Sequence, residues 1–171
     1  MEELRDRWSR MTDVHQFFGM LKALKLSRRE ALQMAGPDFA WRIDGDALAA
    51  LFRHAAADEL PIMCFVGNRG CIQIHSGPIR DIRPMGPWLN VMDETFHLHL
   101  RLDHVAELWG VRKPTRDGHV TSIEAYAHHQ DYRDMLTLTR EVILEVATAV
   151  HGEPVAIRSR TDGGMDRIRL D

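Results

Sequence analysis

The chain has 171 residues, 44% of them hydrophobic and 27% charged, with a formal net charge of -3. That length suits one domain with embellishments rather than two independent cores, and the near-neutral charge gives no global pull toward nucleic acid or an anionic membrane surface. No apolar run approaches the roughly 20 residues needed to span a bilayer, and Met1-Glu2-Glu3-Leu4-Arg5 lacks the apolar segment of a signal peptide, so no membrane insertion and a cytoplasmic location are expected.

In chain order, the first predicted element is an amphipathic helix over Asp13 to Leu24. Val14, Phe17, Phe18, Leu21 and Leu24 recur at helical spacing as a core-facing stripe, with His15 on its shoulder. Asp13 and Gln16 read as an N-cap pair, which puts His15 in the first turn, where backbone N–H groups lack partners. Phe18 and Gly19 lie one turn along on the same side, and a mid-helix glycine, costing about 1 kcal/mol against alanine, would let something flat approach the backbone. The competing reading is a half-buried surface histidine and a glycine of no special purpose.

Ser27-Arg28-Arg29-Glu30 is a capping box opening a short helix that Gly36-Pro37 stops, and a third helix starts near Asp44 or Asp46 and runs to Ala55. Three helices thus precede any strand. Ile62 to Val66, the turn Gly67-Asn68-Arg69-Gly70 and the alternating Cys71 to His75 predict a hairpin. Ile79 to Ile82 is extended, Pro84-Met85-Gly86-Pro87 interrupts, and Trp88 to Val91 resumes a strand. In Phe96 to Leu102, His97, His99 and Arg101 share one face and Leu98, Leu100 and Leu102 the other. A helical turn over Asp103 to Leu108 leads to a strand from Trp109 to Lys113, the Asp117-Gly118 hairpin signal, and a strand from Val120 to Tyr126. Asp131 to Val150 predicts a long helix from its stripe of Met135, Leu138, Val142, Val146 and Ala149. Val155 to Ile157 suits a last short strand, and Ser159 to Asp171 reads as loosely ordered.

Cys64 and Cys71 have no partners at zinc-knuckle spacing, so neither a disulfide framework nor structural zinc is expected. The absence of a phosphate loop, HExxH, GxSxG or paired CxxC leaves the common signature chemistries without support. Ten histidines against two tyrosines is the skewed number, because imidazole is the commonest nitrogen ligand of iron, zinc and copper. One arrangement is a compact metal site from His75, His97 and His99. Another is haem, which needs an axial imidazole, an apolar slot and cations for two propionates: His15 supplies the first, Phe17 or Phe18, methionines and Trp88 the second, and Lys113 or a neighbouring arginine the third.

Thr12-Asp13-Val14-His15-Gln16-Phe17-Phe18, Pro61 through Gly77, Met85-Gly86-Pro87-Trp88-Leu89-Asn90-Val91, Leu98-His99-Leu100-Arg101 and Val111-Arg112-Lys113-Pro114-Thr115 resemble, densely and collinearly, the bacterial haemin-utilisation proteins of the HemS/ChuS/HmuS type. The resemblance covers about residues 1–127 and implies an α+β fold of helices packed on a large antiparallel sheet, haem b as cofactor, and a role in haem trafficking, iron acquisition or haem degradation. It places the axial ligand on His15 and a propionate contact on Lys113. Most members have two similar halves, and this chain is similar to the second. The family's distal arginine comes from the first half, so in a homodimer its place falls to His99 of a second protomer. Residues 128–171 depart from the family pattern as a divergent helix and tail. A haem importer or a haem oxygenase is the implied partner, and the alternative is a fold-preserving interaction or regulatory protein that has lost haem binding.

Overall fold

The computed structural model describes residues 2–67 and 71–127, together with three strand segments at 144–148, 157–161 and 164–168. Three helices come first: α1 (Glu2–Ser9), α2 (Gln16–Leu24) and α3 (Arg28–Ala35). β1 (Ala40–Ile43), α4 (Ala47–Ala57), β2 (Pro61–Gly67) and β3 (Ile72–Pro78) follow. Next are β4 (Ile82–Met85), β5 (Trp88–Met92), β6 (His97–Arg101), β7 (Val105–Thr115) and β8 (Gly118–Ala127), and then β9 (Leu144–Thr148), β10 (Ile157–Thr161) and β11 (Gly164–Ile168). The fold is α+β, with helices on antiparallel sheets.

α1 and β1 are additions to the elements expected from sequence. α1 buries Leu4 and Trp8, one turn apart, and ties its outer side with the i,i+4 pairs Arg7–Glu3 and Arg10–Asp6. The Ser27 capping box forms as expected, Ser27 Oγ accepting from the Glu30 N–H while Glu30 Oε2 accepts from the Ser27 N–H at 2.8 Å.

The main sheet has six strands in the order β1-β7-β8-β9-β2-β3, and β4-β5-β6 form a second sheet. Successive residues of a strand point to opposite faces, so the register sorts the core in two. On one face Ala40, Trp109, Val111 and Tyr126 pack under α1, α2 and α3 around Trp8, Phe17 and Leu32. On the other, Ile62, Cys64, Leu108, Ile123 and Ala125 pack against α4 and the inner side of the three-stranded sheet, which contributes Leu89, Val91 and Leu100. Gly110 is required on this second face: a Cβ there would stand 2.3 Å from the Trp41 indole, the residue paired with it on β1.

The β2–β3 and β7–β8 hairpins form, the latter closed by Arg116-Asp117 between Thr115 and Gly118. Pro114 lies inside β7 rather than ending it. β1 covers only Leu108 to Val111, so β7 is paired on one side at Pro114, where a missing N–H is tolerated. Pro84 likewise belongs to β4, and only Gly86-Pro87 make the turn to β5. The helical turn after β6 shrinks to Leu102–His104.

The helix expected over Asp131 to Val150 is overturned across 144–148, which form β9, hydrogen-bonded to β8 on one side and β2 on the other; the rest of that prediction lies outside the described residues. Leu144-Glu145-Val146-Ala147-Thr148 also alternates with period two, and two otherwise unpaired strand edges favour the extended form. The tail holds a further correction. β10 and β11 pair antiparallel, from Ile157 with Ile168 to Thr161 with Gly164, where loose order was expected. Of the predicted strand 155–157, Ile157 begins β10, and residues 155–156 lie outside the described residues.

Candidate functional site

α2 begins one residue after His15. The Asp13 carboxylate accepts from the His15 backbone N–H at 2.8 Å and from the His15 ring at Nδ1 at 2.7 Å, all through Oδ1. A carboxylate only accepts, so Nδ1 carries a proton, and in the neutral ring Nε2 then keeps its lone pair. The ring is 92% exposed. The hydrogen bonds from the His15 backbone and ring hold the Asp13 carboxyl below its usual range, with a small contribution from Arg116. Arg116 N–H also donates to the Thr12 carbonyl at 2.9 Å, docking the β7–β8 turn on the loop that carries His15.

Along α2, Phe17, Met20 and Leu21 are buried, whereas Phe18 is 63% exposed, contrary to its place in the predicted core stripe. His15, Phe18, Gly19 and Lys22, at helical spacing, form one solvent-facing strip, and a Cβ at Gly19 would meet nothing within 4 Å. Beneath it Phe17 sits edge-on to Trp8 at 4.7 Å, and Trp8 Nε1–H donates to the Arg112 carbonyl at 2.9 Å.

Below Phe17 lies a charged cluster. Glu124, fully buried, accepts from Arg28 Nε at 2.7 Å and from Arg28 Nη2, from Lys113 Nζ at 3.2 Å and from Tyr126 OH at 2.8 Å. Burial pushes the Glu124 carboxyl up, but the charges of Arg28 and Lys113 and the hydrogen bonds from Arg28 and Tyr126 outweigh it and hold it well below the carboxylate range. The Arg28 guanidinium lies 5.4 Å from the Phe17 ring centre and 5.5 Å from that of Phe18, with Lys113 Nζ 5.1 Å from Phe17. Lys113 is therefore placed next to α2, but buried and paired.

The register carries this face onward. Trp109, Glu124, residue 145, Phe65 and Ile74 form one row across β7, β8, β9, β2 and β3. At about 4.8 Å per strand, Phe65 lies roughly 10 Å and Ile74 roughly 14 Å from Glu124. Among the described residues the α1–α3 core covers only the β1-β7-β8 end of this face, and Met63, Ile72 and Ile74 remain 36%, 63% and 53% exposed.

Trp88 and His99 lie elsewhere. Their strands pair Trp88 with Arg101 and Asn90 with His99 on the side of the three-stranded sheet opposite Leu89, Val91 and Leu100, so they face away from the core and from α2. His99 Nδ1–H donates to Asn90 Oδ1 at 2.7 Å, and Trp88 carries Arg101 at 5.8 Å. Within one chain the structure does not join them to His15 and Phe18. The His75, His97 and His99 alternative fails geometrically: His75 stacks on Phe96 at 4.1 Å, and no grouping of three metal-binding side chains occurs among the described residues. Sequence reasoning missed Arg28, Glu124 and Tyr126, although a lone glutamate in the apolar run Ile123-Glu124-Ala125-Tyr126 was a signal. It also missed the exposure of Ile72 and Ile74, which alternation alone cannot distinguish from burial.

Fold and site together define a class: an antiparallel α+β domain presenting a carboxylate-tethered histidine and an exposed phenylalanine beside a half-covered apolar sheet face. The family model described as the haemin-degrading HemS.ChuX domain matches residues 25–133, a span that includes Lys113, Trp88 and His99 but not His15. The chain belongs to that family. It is 48% identical over 120 residues to the hemin transport protein HmuS of Yersinia pestis, covering 70% of this chain and 35% of HmuS. Among solved structures, holo-PhuS, a heme-binding protein from Pseudomonas aeruginosa, superposes with a TM-score of 0.76 at 40% identity over 96% of this chain and 42% of PhuS. ChuS, an E. coli heme oxygenase, gives 0.76 at 40% identity over 87% and 42%. The chain thus spans well under half the length of these relatives. Over 50 residues, 29% of the chain, it is 58% identical to the lysylphosphatidylglycerol biosynthesis bifunctional protein LysX of Gordonia bronchialis, 4% of which is covered.

Proposed function

We propose that this protein binds haem b through His15 Nε2 and serves haem trafficking for iron acquisition in the cytoplasm. The observation that carries the reading is an imidazole whose Nδ1 is occupied by Asp13 while Nε2 stands in solvent beside the exposed Phe18 ring. Phe18 and the open face of Met63, Phe65, Ile72 and Ile74 suit the apolar macrocycle, and Arg28, 5.5 Å from the Phe18 ring centre, and Lys113, 5.1 Å from that of Phe17, are the cations proposed for its propionates. Bound haem supplies a redox-active iron; the protein's part is to ligate, orient and shield it. PhuS is described as heme-binding and ChuS as a heme oxygenase, which supports haem as ligand and keeps degradation as the finer alternative.

Trp88 and His99 enter this reading through a second copy of the chain, as the distal side of a homodimer; a clean monomer in sedimentation at micromolar concentration, with and without haem, would remove them from the site. A haem importer or haem oxygenase is the proposed exchange partner. Residues 128–171 are proposed to differ in origin from 1–127, supported by a family match ending at 133. β9 nevertheless makes that segment part of the sheet.

The test is a haemin titration followed by Soret absorbance. Wild type should saturate at one haem per protomer and His15→Ala should bind at least tenfold more weakly. No saturable shift in wild type defeats haem carriage, and equal binding by the variant defeats the ligand assignment alone. The second reading, an interaction or regulatory protein without haem, is favoured by the burial of Lys113, 5% exposed and committed to Glu124. Loss of the Soret band with ascorbate and catalase present would distinguish breakdown from carriage.

A further inference from the structure

The two hydrogen bonds at Asp13 have an unusual distribution. Asp13 Oδ1 accepts from the N–H two residues on, that of His15, at 2.8 Å, as a cap of the turn leading into α2, and Gln16 Oε1 accepts in return from the Asp13 N–H at 3.3 Å; the same Oδ1 also accepts from the His15 ring at 2.7 Å, a bond that capping does not require. Helix capping alone therefore does not account for this carboxylate. The backbone bond anchors it, since the ring cannot turn away without leaving an acceptor already fixed by its own main chain. His15 itself has helical backbone angles, φ −68° and ψ −22°, so the direction of its Cα–Cβ bond is set by α2. From the other side the β7–β8 turn closes on the same loop through Arg116 and Thr12.

We propose that Asp13 is a positioning residue for His15, fixing the Nδ1–H tautomer, aiming the Nε2 lone pair outward along the Phe18 side of α2, and strengthening Nε2 as a donor. The inference rests on the haem reading above. A carboxylate accepting the distal N–H of a ligating imidazole lends it partial imidazolate character, which favours the higher oxidation state of the metal. Ferric iron held by His15 is thus stabilised over ferrous iron by Asp13.

The test compares wild type, Asp13→Asn, Asp13→Ala and His15→Ala by three readouts: haemin titration, spectroelectrochemical midpoint potential, and nitrogen NMR of the His15 ring in haem-free protein at pH 8. Asp13→Ala should keep a His15-dependent Soret band, lose about tenfold in ferric-over-ferrous preference, a rise of about 59 mV for one electron, and shift the ring toward the Nε2–H tautomer. Asp13→Asn, which preserves an acceptor without the charge, should fall between, and guards against loss of the turn in the alanine variant. An unchanged potential in both variants with haem bound, or an unchanged tautomer in Asp13→Ala, overturns the proposal. If His15→Ala binds haem as wild type does, the assignment of His15 as ligand fails, and the haem-free tautomer still decides whether Asp13 positions the ring.

Discussion

Glu124→Gln should destabilise this protein severely. The side chain is fully buried and is the shared acceptor of Arg28, Lys113 and Tyr126. Glutamine keeps the shape and one acceptor oxygen but removes the charge that neutralises two buried cations. Breaking a buried ion pair by removing one partner costs about 3–5 kcal/mol, because the remaining charge is desolvated without compensation. For a chain of this size each kcal/mol corresponds to about 2–4 °C, so Tm should fall by about 6–20 °C. Calorimetry with a urea titration as a second probe measures this. The reference variant is Lys113→Met, which leaves Arg28 facing Glu124 one to one and should cost less. A loss below about 1 kcal/mol for Glu124→Gln, or the reverse ranking, would refute the view that Glu124 holds this cluster together.

Other expectations follow from single contacts. The Glu124 carboxyl is lowered from 4.5 to about 2, so its contribution to stability is complete above pH 4.5 and is lost as pH falls toward 2; the acid limb of wild type should flatten in Glu124→Gln, and identical limbs would count against it. Gly110→Ala forces a methyl group into the Trp41 indole and should cost about 1–3 kcal/mol by thermal unfolding, with a neutral result showing that the indole can move. Burial raises the Cys64 thiol to about 12 while Cys71 is exposed, so a thiol reagent at pH 8 should modify one cysteine in the folded protein and the second only on unfolding. Phe18→Ala should change stability by less than about 0.5 kcal/mol, its ring being mostly in water, yet weaken haemin binding severalfold.

What the sequence disclosed, it disclosed where one local rule acted without competition. The Ser27 box, the β2–β3 and β7–β8 hairpins, and the division of His97, His99 and Arg101 from Leu98 and Leu100 follow from caps, turns and period two alone. β9 was hidden because Leu144 to Thr148 satisfies helical and strand periodicity alike, and the decision belongs to β8 and β2, distant in sequence. The same limit applies to the candidate site. The motif around His15 marked the histidine, but Arg28 and Glu124 meet across 96 positions, and no spacing rule reaches that far. Trp88, grouped with Phe18 by chemistry, is separated from it by the thickness of the six-stranded sheet.

The place of β9 also orders events during synthesis. β8 and β2 are not hydrogen-bonded to each other; each pairs with β9, whose residues are made after both. While the first 127 residues emerge, the helical side with His15 and the hairpin with Phe65 and Ile74 are two partial sheets with open edges. Their hydrogen-bonded joining into one sheet waits for residue 148. Contacts of such long sequence separation form slowly, and exposed edges are the usual targets of chaperones and of aggregation. Ribosome-bound chains halted before and after β9 should therefore differ sharply in protease resistance, with the six-stranded sheet completed only in the longer one.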